Sequence, residues 1–361
     1  MTDAASTSNR RPRVAFVWHG LPAYGAHLIR GAIATDRAAI SVVATRPPFS
    51  VKPVDDALPN LVQWHDSQKP ISWSDVQGGL PDLAIITGWG FPFCQRLGRE
   101  ASAVGVPVVM MSDNRWRGDL RQKCGGYVFR LRLRKMLSGA WVPGASGARL
   151  LQAFGMPADR IFRCLYGCNP AIFRPDVPLA TRGQKIVFVG KMDARKGVDV
   201  LLSGFRQSGL AQAGWELQMF GSGPLSRLAA GQPGVTHAEF SPPDVIARAV
   251  GDARIFVMPS RDDNWPIALH EGAASGCLLL TTTAVGSCSD LIGAVNGVVV
   301  PPGDAQAIAT GLCTLAALPL SQLPAAEAES LAKAGGFGPA AFAASFERIC
   351  DQLLPISGRQ P

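Results

Sequence analysis

Apolar residues along this chain of 361 residues come in two series of short runs rich in branched side chains. The first series is VAFVW (14–18), ISVVA (40–44), LAIIT (83–87), VPVVMM (106–111) and GAWVP (139–143). Each run is bounded by Gly, Pro or polar residues and is apolar throughout, which is the pattern of a strand covered on both faces. Segments between them, such as HLIRGAIATD (27–36) and ASGARLLQAFG (145–155), are long enough for crossover helices. This alternation predicts an α/β unit with a parallel sheet. It breaks at RCLYGCNPAIFRPDVPLATRGQ (163–184), which reads as a linker. A second series then begins: KIVFVG (185–190), WELQMFG (215–221), ARIFVMPS (253–260), GCLLLTT (276–282) and GVVVPPG (297–303). Helical segments are expected at 198–207 and 266–275. Phe342, Phe346, Ile349 and Leu353 recur at helical spacing within 339–355.

The expected architecture is α/β, with two Rossmann-like, doubly wound parallel-sheet domains. A polar tail, 1–12, is expected to be disordered. A first domain covers 13–170 and a second 171–335, and a C-terminal helical segment, 336–361, packs back toward the first domain. In such sheets ligands bind beyond the carboxyl ends of the strands, so two domains with those ends facing make a cleft.

Composition leaves this picture intact, with 47% hydrophobic and 17% charged residues, as in folded soluble proteins. The run at 14–18 is too short for a signal peptide, and no stretch reaches the about 18 apolar residues of a spanning helix. The expected location is cytoplasmic, soluble or peripheral on a membrane. The eight cysteines are scattered, and Cys164-x3-Cys168 has no second pair nearby, so they read as reduced thiols rather than a zinc site.

Charge adds an asymmetry. Residues 1–170 hold 21 Lys+Arg against 11 Asp+Glu, whereas the remainder holds 14 against 16. The excess peaks at 115–137, where eight basic residues meet one Asp. Such a patch suits an anionic membrane surface or a phosphorylated ligand, and a solvated helix face explains it equally well. Interleaved aromatics are few and no nucleic-acid module is present, so no nucleic-acid partner is expected.

Three stretches can carry chemistry. In VFVGKMDARKG (187–197) a strand ends at Gly190, and Lys191 and Lys196 flank the next helix start, a natural phosphate site. In DNWPIALHEG (263–272), Asp263 or Asn264 can cap a helix that opens with Pro266. Capping does not explain Glu271, set among small residues that invite close packing; an acceptor for two ligand hydroxyls does. In TTTAVGSCSD (281–290), Gly286 and Ser287 form a small-residue turn before Asp290, which suits either an anion nest or a capped short helix.

Taken together, these residues resemble the donor-binding half of the family 4 retaining glycosyltransferases (group 1 glycosyltransferases) of GT-B fold. The resemblance rests on Gly190-Lys191, Lys196-Gly197, GSGP (221–224), Pro259-Ser260, the pair Asp263 and Glu271, Gly286, Asp290, Asn296-Gly297 and Pro302-Gly303-Asp304. It departs from the family in Asp263 and Asp290, where Glu is common, and in Lys191, where Arg is commoner. The loop 18–27 also lacks a Gly-Gly. The resemblance implies metal-independent, retaining, hexosyltransferase-like chemistry from a nucleotide-diphosphate sugar, with no cofactor. It makes Lys191 and Lys196 the diphosphate stabilisers, Asp263 and the backbone from Asn264 through Trp265 and Pro266 to Ile267 the sugar holders, and Glu271 the ribose acceptor. The acceptor would be a glycan, lipid-linked or small molecule on the first domain, near Asp113, with His19 a lesser candidate. A degenerate, non-catalytic scaffold of the same fold is the alternative.

Overall fold

The computed structural model describes residues 10–48, 50–239 and 241–354. Residues 1–9 of the expected tail and 355–361 lie outside the described residues. The rest of that tail is ordered, with Arg10 and Arg11 pairing with Asp82 and Asp36.

Strands β1 (Arg13–Trp18), β2 (Ala39–Thr45), β3 (Val62–His65), β4 (Leu83–Thr87), β5 (Val108–Met111), β6 (Gly139–Trp141) and β7 (Ile161–Phe162) form one sheet. Its order is β3-β2-β1-β4-β5-β6-β7, parallel throughout. Strands β8 (Lys185–Val189), β9 (Glu216–Phe220), β10 (Val235–Ala238), β11 (Ile255–Met258), β12 (Leu278–Thr282) and β13 (Gly297–Val300) form the second. Its order is β10-β9-β8-β11-β12-β13, again parallel. Both sheets are doubly wound.

Burial explains why the central strands are apolar throughout. Along β1, Val14 and Phe16 enter the core on one face of the sheet, and Ala15 and Val17 enter the core on the other. Three strands, β3, β7 and β10, were not expected. All lie at sheet edges and hold few fully buried residues, so they lack the continuous apolar run that marks a central strand.

The helix Pro339–Leu353 covers the first sheet. Phe342 stacks on Trp141 with ring centroids 4.2 Å apart, and Phe346 lies 6.0 Å from Phe16. The chain therefore crosses between the sheets twice. The crossings touch where Gly167 meets Gly338, so closely that a Cβ on Gly167 would lie 2.1 Å from the Gly338 nitrogen.

The stretch 163–184 is not a loose linker. Arg182 is buried within it, donating to the carbonyls of Val177, Ala253 and Ser275 and pairing with Glu327 at 3.3 Å.

Candidate active site

The carboxyl ends of β8, β11 and β12 supply the donor-side residues. After β8, the Gly190 N–H donates to the Phe220 carbonyl, and Lys191 follows, exposed. Gly197 has φ 74°, and a Cβ on it would lie 2.2 Å from the Pro259 carbonyl oxygen. Only glycine combines that left-handed backbone with so close an approach. The contact seats the preceding Lys196 at the end of β11.

There the Lys196 ammonium lies 2.5 Å from Asp263 Oδ2, with the two side chains 13% and 11% exposed. Ser260 Oγ donates to the same oxygen, and Arg195 stands 3.8 Å from Oδ1. The Asp263 backbone is held on both sides, its N–H donating to Ala284 and its carbonyl accepting from Gly286. Gly286 approaches so closely that a Cβ would lie 1.9 Å from the Asn264 carbonyl oxygen. Neither Asp263 nor Asn264 caps the helix Ile267–Ala274; its N-cap is Pro266, with no side-chain cap bond. The Asp263 carboxylate is engaged by Lys196 instead.

Glu271 sits half-buried within that helix. Burial pushes its carboxyl up to about 7, with no cation or protein donor offsetting the shift. Its neighbour His270 is a structural link. It accepts from the Cys168 N–H through Nδ1 and faces the Ala334 carbonyl through Nε2, and burial lowers its pKa to about 4.

Other predicted donor residues turn inward. Trp265 is buried against Phe337 and donates its indole N–H to Asp290. Pro266 is buried, Ile267 is half-buried in the first helical turn, and Ser287 is fully buried. Asp290 differs most from expectation. Its side chain is 2% exposed and accepts from the Ala145 N–H (3.1 Å), Arg163 (2.8 Å) and Trp265 (3.2 Å). Ala145 opens the helix Ala145–Ala153 of the first domain, where unpaired N–H groups favour an anion. The Asp290 carboxylate thus fastens the two domains together rather than facing a donor.

Across the cleft, a cavity of about 510 Å³ opens at the ends of β1, β4 and β5, with His19, Tyr24, Trp89, Phe91, Asp113 and Tyr166 in its wall. Asp113 faces the Asn264 side chain; burial pushes its carboxyl up, and the Asp263 charge adds to the rise. The structure therefore brings Asp113, Asn264, Asp263 and Lys196 to one place. His19 stacks on Phe91 at 3.8 Å and shares a hydrogen bond with Thr45, and burial holds its pKa below the ordinary value.

Sequence reasoning missed the pairing of Asp262 with Arg115 (2.8 Å) and Arg117 (2.9 Å) across the cleft. These arginines read only as part of a basic patch. Tyr24, Trp89 and Tyr166 come from three distant segments, and nothing in the sequence draws them together. Among the described residues, no group of three or more His, Cys, Asp or Glu is gathered to hold a metal ion.

Residues 183–317 match the family model described as "Glycosyl transferases group 1". No relative among curated proteins matches. Among solved structures, a glycosyltransferase from Rickettsia africae superposes with TM-score 0.72 at 14% identity, covering 96% of this chain and 98% of that one. Anabaena HepE, in complex with UDP and glucose, gives 0.72 at 13% identity, covering 95% and 100%. The lipopolysaccharide outer core galactosyltransferase WaaB gives 0.66 at 14% identity, covering 94% and 100%. At these identities the superpositions establish the fold, two facing parallel-sheet domains of the GT-B type. The match to the group 1 glycosyl transferases thus falls on the second domain, over strands β8 to β13.

Proposed function

We propose that the chain transfers a sugar, with retention at the anomeric carbon, from a nucleotide-diphosphate sugar to a hydroxyl held on the first domain. The observation that carries this reading is the Lys196–Asp263 pair at the strand ends, facing Asp113 across the cleft. HepE was determined with UDP and with UDP-glucose, which supports a uridine donor here.

In this reading the acceptor oxygen bonds to the anomeric carbon on the face from which the diphosphate leaves. The bond from that carbon to the diphosphate oxygen breaks, and the acceptor proton passes to the diphosphate. Lys191 and Lys196 stabilise the charge that develops there. Asp263 and the backbone from Asn264 to Ile267 hold the sugar hydroxyls, and Glu271 accepts from the ribose. No protein nucleophile is required.

The test is binding of UDP-sugars by thermal shift and calorimetry, wild type beside Glu271→Gln. Hydroxyl donors favour the charged carboxylate, so binding pulls the Glu271 pKa down from about 7 and releases a proton. Affinity should therefore rise with pH between 5 and about 7.5 and then level. A UDP-sugar has no phosphate proton titrating in this range. Glu271→Gln should flatten the profile and weaken binding about tenfold, the loss of a charge-assisted hydrogen bond. An unshifted wild type with every nucleotide sugar would favour a non-catalytic scaffold.

The helix Leu120–Arg132 supports docking on an anionic membrane. Leu120, Cys124, Tyr127 and Leu131 form one exposed stripe at helical spacing, with the first, third and fourth 76%, 70% and 74% exposed. Arg121 and Lys123 flank it, as on helices that lie in a bilayer surface. Arg130 and Arg134 are directed to the backbone carbonyls of residues 153–155 and do not contribute. Leu120→Ser with Leu131→Ser should abolish flotation with phosphatidylserine vesicles. Undiminished flotation would remove the membrane from the picture. Among the described residues, no single helix is long and apolar enough to cross a membrane.

A further inference from the structure

The first domain is strongly basic, with 21 Lys+Arg against 11 Asp+Glu in residues 1–170. Yet the cavity of about 510 Å³ at the ends of β1, β4 and β5 has no lysine or arginine in its wall, and Asp113 is the one carboxylate there. His19 adds no charge near neutral pH, because burial lowers its pKa. Nothing in the second domain offsets Asp113 either. The Asp263 carboxylate raises it further, and Lys196 is already taken up by Asp263. The phenols of Tyr24 and Tyr166 are pushed up by burial and then by the Asp113 charge, and no cation of the protein counters any of these three groups.

The rest of the wall has the same sign. Tyr24, Trp89, Phe91 and Tyr166 line the cavity and are each half-buried, so part of each ring is left open. Tyr24 meets Tyr166 edge to face with ring centroids 5.6 Å apart. Aromatic faces carry negative potential and attract cations, the more strongly where water is excluded. A basic domain thus encloses a cavity that offers ring faces and one uncompensated carboxylate.

We propose that the acceptor bound here is a polyhydroxylated ring bearing an ammonium group, an amino sugar or aminocyclitol, with the ammonium held among these rings against Asp113 and a neighbouring hydroxyl receiving the transferred sugar. The proposal rests on the transferase reading and narrows its acceptor to one charge class. An anionic acceptor would meet Asp113 with no cation to offset it. A neutral sugar would leave that carboxylate without a counter-charge, which is costly for a group so far out of water. An ammonium supplies the counter-charge, a charge-assisted hydrogen bond and contacts with the ring faces.

The probes are glucosamine, N-acetylglucosamine, glucose and glucuronate, compared by calorimetry and tryptophan fluorescence in near-neutral buffer, with and without UDP. Wild type should bind glucosamine at least tenfold more tightly than glucose or N-acetylglucosamine, and glucuronate least of all. Asp113→Asn should remove most of that preference while leaving glucose within about twofold. Gly90 lines the cavity at an exposed position, and a Cβ there meets nothing within 4 Å, so Gly90→Lys adds a cation without crowding. That variant should reverse the order, weakening glucosamine and strengthening glucuronate, a gain that misfolding cannot imitate.

Equal affinity for glucosamine and glucose would overturn the proposal, as would no binding of either. So would a glucosamine preference that survives both substitutions, which would place the amine elsewhere on the molecule. Nucleotide-sugar thermal shifts run in parallel separate the two readings. A glucosamine preference without any nucleotide shift sinks the transferase reading and leaves an amine-binding cavity; a nucleotide shift without that preference does the reverse.

Discussion

Lys196→Ala should slow sugar transfer by roughly 10²–10³-fold, mostly in kcat, the usual effect of removing one group that stabilises developing charge. Two losses combine. The leaving diphosphate loses a cation, and Asp263, only 11% exposed, loses its 2.5 Å partner. The second loss predicts strong coupling. Once Lys196 is alanine, adding Asp263→Asn should cost far less than it does in wild type, because the two side chains act as a unit. Lys191→Ala should cost less than Lys196→Ala, since Lys191 is exposed and better replaced by water. Steady-state rates for wild type and the four variants decide this. A Lys196→Ala rate within threefold of wild type would make the lysine a structural counterion only.

Arg182→Ala should destabilise the donor-side domain by about 3–5 kcal/mol, the cost of removing one member of a buried ion pair. The guanidinium donates to three backbone carbonyls from separate segments, at Val177, Ala253 and Ser275. Its removal leaves those acceptors short of a donor and Glu327 without its cation. For a domain of this size, the melting temperature should fall by roughly 10 °C or more. Glu327→Gln should be milder, because the carbonyls keep their donor. A melting point within about 2 °C of wild type for Arg182→Ala would show that water replaces the guanidinium freely.

Much of the fold was legible because central parallel strands are buried on both faces and cannot avoid being apolar. Val14 to Trp18 and Ile255 to Met258 announce themselves for that reason. Edge strands are freed from the requirement, which is why Val62–His65 and Val235–Ala238 escaped. The donor side was legible where one local segment holds several parts, as in Gly190, Lys191, Lys196 and Gly197. It was not legible where a side chain's partner lies on the other domain. Asp290 reads as a ligand holder in its own turn and becomes a fastener only when Ala145 and Arg163 are brought to it. Asp262 carries no signal at all until Arg115 and Arg117 arrive from about 150 residues earlier in the chain. Glu271 was legible for the opposite reason, since a carboxylate among small residues stands out where no partner is supplied.

The helix Pro339–Leu353 has a consequence for the order in which the chain can be built. Phe342, Phe346 and Ile349 complete the core around Phe16 and Trp141, residues made far earlier. During synthesis the second sheet, continuous between Lys185 and Val300, has all its strands before the first receives its last covering helix. The half that emerges first from the ribosome therefore finishes folding last, and until then it carries an uncovered apolar face. A chain that stalls after about residue 335 would hold a complete donor-side sheet beside an acceptor side still open to aggregation and to proteases.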